Sequence, residues 1–71
     1  MNTKMVNTFD LTVGTLVHFA GAVFEIVDYQ KDDKVARAKG VWKSGNKTSG
    51  CHSLENWTFQ GNELAYWKVQ A

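Results

Sequence analysis

The chain has 71 residues, 44% of them apolar, 13% aromatic and 21% charged, and its eight Lys and Arg against seven Asp and Glu leave a net charge of +1. A chain this short buries only about 60% of the surface its unfolded form exposes, which excludes a two-domain enzyme and a deep cofactor cleft. The apolar content excludes intrinsic disorder, and the balanced charge excludes a histone-like or polyanion-mimicking protein.

Residues 1–10 read as a polar, partly disordered lead-in to a single small β domain spanning 1–71. Val13–Phe19 runs as a strand, Ala20-Gly21 allows a tight reversal, and Val23–Tyr29 returns, rich in β-branched and aromatic residues. After the polar turn Gln30–Lys34, the segment Val35–Lys43 alternates: Ala36, Ala38, Gly40 and Trp42 share one face, and Val35, Arg37, Lys39, Val41 and Lys43 the other. Val35, Ala38, Val41 and Trp42 also fall at helical spacing, but Gly40 and the glycine-bounded flanks favour the strand. Ser44–Gly50 is a loop by composition, and Ser53–Asn56 is either one helical turn capped by Ser53 or the lead into a strand. Trp57–Gln60, Gly61-Asn62 and Glu63–Val69 read as a second hairpin with a two-residue turn.

Five short antiparallel strands must curl to bury a core, because a flat sheet leaves one apolar face and two edges in water. The expected fold is therefore an all-β, five-stranded, partly open barrel. The first hairpin, Val13-Gly14-Thr15-Leu16-Val17, Gly21 and Val23-Phe24-Glu25-Ile26-Val27, resembles the opening strands of SH3-like barrels of the Tudor and KOW kind. There a strand leads through a glycine into a long, bent second strand. The resemblance is architectural, and the chain is expected to be a binding module without a cofactor.

A lone cysteine, Cys51, permits no internal disulfide, and no apolar run reaches the length of a signal or membrane segment, since His18 and Gly21 interrupt Leu16–Phe24. A cytoplasmic protein with no membrane partner is the expectation. Nucleophilic catalysis would have to use Cys51 with His18 or His52, but neighbours on an extended chain point to opposite faces, and a glycine-rich loop pre-organises little. A metal site would need the same residues without any Cys-x-x-Cys or His-x-x-x-His spacing. Neither chemistry is expected, and Cys51 reads as a solvated loop thiol.

Charge and aromatics carry the functional signal. Lys34, Arg37, Lys39, Lys43 and Lys47 form a run without an anion, and alternation places Arg37, Lys39 and Lys43 on one face that Lys47 extends. Such a stripe can track a phosphate backbone; equally, Arg37 and Lys39 can pair across strands with Glu25 or Asp28 and simply solvate the outer face. Nine aromatics exceed what so small a core can hold, and of the neighbours Tyr66 and Trp67 one must face outward. Phe24 and Phe59 read as core, while Trp42, Trp57, Tyr66 and Trp67 are the candidates for a partner-binding surface rimmed by Arg37, Lys39, Lys43 and Lys47. The expected function is a non-catalytic protein-interaction or regulatory module. Small open reading frames without enzyme motifs are a common form of phage and mobile-element accessory proteins that act on host components. The alternative is a nucleic-acid-binding module that stacks bases on the same aromatics. A homodimer through the last strand, Leu64–Val69, is expected if that strand is a bare edge.

Overall fold

The computed structural model describes residues 2–71, without the side chains of Ser49 and His52. Eight strands follow one another: β1 (Thr3–Asn7), β2 (Leu16–Phe19), β3 (Ala22–Lys31), β4 (Ala36–Gly45), β5 (Thr48–Ser49), β6 (His52–Ser53), β7 (Asn56–Gly61) and β8 (Tyr66–Gln70), with a single 3-10 turn at Thr8–Asp10. Six of them form one antiparallel sheet in the order β1-β8-β2-β3-β4-β7, and β5 pairs only with β6. The chain is all-β, as its patterning implies, but the sheet has six strands rather than five. The additional strand is β1, whose residues Thr3–Asn7 pair with Gln70–Tyr66. Backbone hydrogen bonds make that pairing, so a polar segment joins the sheet without announcing itself by alternation.

The first hairpin is set by its turn. Ala20 and Gly21 both have positive φ, +54° and +75°, and Phe19 lies opposite Ala22, which makes a two-residue loop whose twist matches that of the flanking strands. Strand β3 then runs ten residues against β4 with two irregularities. Val27 has no partner between the pairs Ile26–Gly40 and Asp28–Lys39, and Lys43 has none between Phe24–Trp42 and Val23–Ser44. Bulges of this kind bend a strand and increase its twist. The consequence is visible in the rings: Phe19 of β2 lies 5.2 Å from Trp57 and 5.6 Å from Phe59, both on β7. In a flat sheet β2 and β7, three spacings apart, would be separated by about 14 Å. The sheet is therefore curled, with its two flanks meeting around an inner face.

That inner face holds Val17, Phe24, Ile26, Ala38, Phe59 and Val69, each at most 1% exposed. Gly40 lies where two rings converge: a Cβ there would stand 2.8 Å from Phe59 and 3.0 Å from Phe24. Leu11, after the 3-10 turn, and Leu54, before β7, plug the core from outside the sheet at 2% and 0% exposure.

The second hairpin is not one. β7 and β8 are not neighbours in the sheet, and β8 pairs instead with β1 and β2. The chain turns over Asn62–Ala65 rather than at Gly61-Asn62: Asn62 Oδ1 accepts the Leu64 N–H at 2.9 Å and Ala65 N–H donates to the Asn62 carbonyl at 3.1 Å. The chain leaving that turn is then caught by the segment after β1. Thr8, fully buried, donates through both its N–H and its hydroxyl to the Ala65 carbonyl at 3.0 Å, and the Asn7 side-chain amide donates to the Glu63 carbonyl. Thr8 Oγ1 also accepts the Trp67 indole N–H at 2.8 Å, and the Thr8 carbonyl accepts the Tyr29 hydroxyl at 2.8 Å. One threonine thus ties β1, β3 and β8 together with every polar group occupied.

Two further expectations are corrected here. Ser53–Asn56 contains no helical turn, since β6 ends at Ser53 and β7 begins at Asn56. Leu64–Val69 is not a bare edge, because β8 lies between β1 and β2; the edges of the sheet are β1 and β7. No helix among the described residues is long and apolar enough to cross a membrane.

Candidate functional site

Residues directly opposite in an antiparallel pair share a face. On the outer face of the β3-β4-β7 region the register gives the rows Gln30–Arg37–Gln60, Asp28–Lys39–Thr58 and Glu25–Val41–Asn56. Among the described residues one cation of the predicted stripe forms an ion pair there. Lys43 Nζ lies 3.0 Å from Glu25 Oε1, both side chains partly exposed. Lys39 stands opposite Asp28. Arg37 is close enough to Asp32 to help hold its carboxylate in the charged form, after the N–H groups of Lys34 and Val35, which do so more strongly. Lys47 lies 4.7 Å over the Trp42 ring as a cation–π contact. The expected pairing of Arg37 and Lys39 with Glu25 or Asp28 is not formed: Glu25 is taken by Lys43, the bulged residue, and Asp28, opposite Lys39, accepts the Tyr29 N–H through Oδ1 at 2.9 Å.

The aromatics lie elsewhere. Trp42 shares the inner row with Phe24, its indole N–H donates to the Asn46 carbonyl at 3.0 Å, and Asn46 N–H donates to the Gly21 carbonyl at 3.0 Å, so the Trp42–Lys47 pair fastens the loop after β4. Trp57 lies opposite Gly40 on the inner side, and its ring leans on Phe19 with 38% of the residue exposed. Trp67 is packed edge-on against Phe59 and Phe19 at 5.0 and 5.8 Å. Tyr66 is the outward member of its pair, 56% exposed and opposite Asn7. The predicted residues thus separate into three places: Arg37, Lys39 and Lys43 outside the curl, Trp42 and Trp57 on its inner side or rim, and Tyr66 on the far flank. Trp42 and Lys47 are brought together.

Two apolar residues join Tyr66 that the alternation of the sequence does not single out. Met5, a diagonal neighbour of Tyr66 across β1 and β8, is 59% exposed, and Leu64, in the turn before β8, is 81% exposed. A Lys-Met-Val triplet at 4–6 was the available sign of an outward Met on a strand.

Of the nucleophile and metal candidates, Cys51 is a free, exposed thiol in the turn between β5 and β6. The pairing of Cys51 with His52 falls on a side chain outside the described residues. His18, on the outer face between Lys68 of β8 and Val23 of β3, has its Nε2 buried without a hydrogen-bond partner. Among the described residues no group of three His, Cys, Asp or Glu is placed to hold a metal. Tyr29, beneath Thr8, has its phenol pushed above the ordinary value of 10.0 by burial and then by the Asp10 charge, which keeps its hydroxyl a donor. The chain matches no protein-family model, no curated protein and no solved structure.

Proposed function

We propose that the chain is a non-catalytic protein-interaction module of the cytoplasm, built on a partly open SH3-like barrel in which β1 supplements the five strands β2, β3, β4, β7 and β8. The sheet order β8-β2-β3-β4-β7 and the ring contacts that bring β7 over β2 support the barrel reading. The observation that carries the functional reading is a contrast. Lys43 is paired with Glu25 and Lys47 lies over the Trp42 ring, while Trp57 on one edge strand is partly exposed and Tyr66 beside the other edge is exposed. Exposed aromatics beside unpaired backbone suit a protein partner, to which they supply anchoring area and the backbone supplies hydrogen bonds. A phosphate-tracking surface would instead need cations free of competing carboxylates and aromatics on the same face.

The test is capture from a lysate of the source cells by the immobilised chain, washed at high salt. A protein retained through the wash and lost with Trp57→Ala or Tyr66→Ala is the expected result. Nucleic acid that co-purifies at low salt, leaves at high salt and is abolished by Arg37→Glu with Lys39→Glu would replace this reading with the nucleic-acid one.

A further inference from the structure

The two edges of the sheet differ in how they are protected. Edge strands expose a row of free N–H and C=O groups, and proteins blunt them with lysine, proline or bulges. Strand β1 carries Lys4. Strand β7, Asn56-Trp57-Thr58-Phe59-Gln60-Gly61, has no ionisable residue, no proline and no bulge in its register with β4.

The phase of its hydrogen bonds can be read from the residues just before it. Trp42 N–H donates to the Glu55 carbonyl at 3.0 Å, which continues the register that sets Val41 opposite Asn56. Hydrogen-bonded and non-hydrogen-bonded pairs alternate along an antiparallel ladder. Trp57, Phe59 and Gly61 therefore exchange bonds with β4, and Asn56, Thr58 and Gln60 turn their N–H and C=O groups to the free side. Among the described residues no loop, cap or side chain takes them.

We propose that this edge is closed by a second copy of the chain, β7 against β7, antiparallel about a twofold axis at Thr58. The inference rests on the protein-interaction reading and names the partner. With Thr58 on the axis, Thr58 faces Thr58 and Asn56 faces Gln60 of the other copy, so all three outward residues become hydrogen-bonded pairs and every free group of both edges is used. A slip of one residue sets inner side chains against outer ones, and a slip of two leaves an outward residue on each copy unpaired. The outer row then holds a Thr–Thr pair flanked by amides, with no charge opposed to a like charge. On the inner side, Trp57 comes opposite Phe59 of the other copy. The net charge of +1 leaves little long-range repulsion between copies. A strand that complements itself about one residue, without a charge to choose a foreign sequence, favours a second copy over an unrelated peptide.

Light scattering and sedimentation across a dilution series should give twice the chain mass at the concentrated end and a monomer for Thr58→Lys, which sets two ammonium groups on the axis. Met5→Lys, on the other edge, should leave the dimer intact. In a Cys51→Ser background, Thr58→Cys should oxidise to a covalent dimer, because hydrogen-bonded pairs stand about 5.5 Å apart at Cα, within disulfide reach. Lys39→Cys should not, since β4 and its counterpart would lie about 14 Å apart across three strand spacings. The cross-link keeps the proposal testable if Thr58→Lys fails to fold. A monomer at every concentration, a dimer indifferent to Thr58→Lys while folded, or a cross-link at Lys39→Cys and not at Thr58→Cys overturns the proposal. A monomer that still captures a protein through Trp57 or Tyr66 overturns the self-pairing alone, whereas a Thr58-dependent dimer that captures nothing supports the self-pairing and removes the heterologous partner.

Discussion

The two faces of β4 belong to one strand and are held by different physics. The inner residues Ala36, Ala38 and Gly40 are small and buried, and at Gly40 the Phe24 and Phe59 rings leave no room for a Cβ, in a ring cluster whose Phe24–Phe59 and Phe59–Trp67 pairs lie 5.6 and 5.0 Å apart. The outer residues Arg37, Lys39 and Lys43 are long and exposed: Lys43 pairs with Glu25 of β3, Lys39 lies opposite Asp28, and Arg37 exerts a weak attraction on Asp32 in the β3–β4 turn. Burial of rings contributes energy that is insensitive to pH and to charge screening, whereas exposed charge pairs contribute a little that depends on both. Stability should therefore reside inside the curl, and its response to solution conditions outside it.

The sharpest way to break that division is Phe59→Ala, which removes the ring that touches Phe19, Phe24 and Trp67 at once. The expected cost is about 3–5 kcal/mol. A domain this small has a total of the same order, so urea denaturation should find the variant largely unfolded in water. Gly40→Ala attacks the same place by addition. Its Cβ would stand 2.8 Å from Phe59 and 3.0 Å from Phe24, closer than carbon atoms pack, and β4 is held on both sides by β3 and β7. Overpacking of this kind costs about 1–3 kcal/mol. A Gly40→Ala variant as stable as the parent would mean that the rings have room to retreat and that the curl is looser than the geometry shows.

The outer face should be forgiving. A double-mutant cycle on Lys43→Ala and Glu25→Ala should return a coupling of about 0.2–1 kcal/mol that fades as salt is added, because both side chains are substantially exposed. A coupling that survives high salt would show that the bulge at Lys43 sets the pair more rigidly than a surface bridge.

This difference also governs what could be read from the residues alone. The β2–β3 turn was legible because Ala20-Gly21 sits between two β-rich runs, and the alternation of β4 was legible because a buried face must be apolar or small. Phe24 and Phe59 followed as core. Strand β1 was not legible, since Thr3, Lys4 and Asn7 contribute backbone rather than apolar side chains to its pairing with β8. Gly61-Asn62 looked like a hairpin turn, but the Asn62 side chain caps a wider turn, and the bonds from Asn7 and Thr8 that carry β8 across the sheet come from residues more than fifty positions away. For the candidate site, the cations and aromatics were identifiable as types, and Tyr66 and Trp67 divide outward and inward as adjacent strand residues must. Alternation alone already set Trp42 on the face opposite Arg37, Lys39 and Lys43, whereas the distance between Trp57 and Tyr66 was hidden because it depends on strand order and on the curl, which no local pattern encodes.

The smallest effect should come from the β3–β4 turn, where the outer face answers to pH. Asp32 accepts the N–H groups of Lys34 and Val35, each at 2.8 Å, and Arg37 adds a weaker attraction, so its carboxyl titrates below the ordinary value of 3.8. The unfolded chain binds that proton at the ordinary value, so the stabilisation is fully present above pH 3.8 and is lost as the pH falls through the lower folded value. Asp32→Asn keeps an oxygen acceptor for the two N–H groups and removes the charge. Urea midpoints of the two proteins should therefore differ slightly at neutral pH and converge in acid below the carboxylate range, with the parent showing the steeper slope. Parallel curves would mean that the turn holds equally well on a neutral amide.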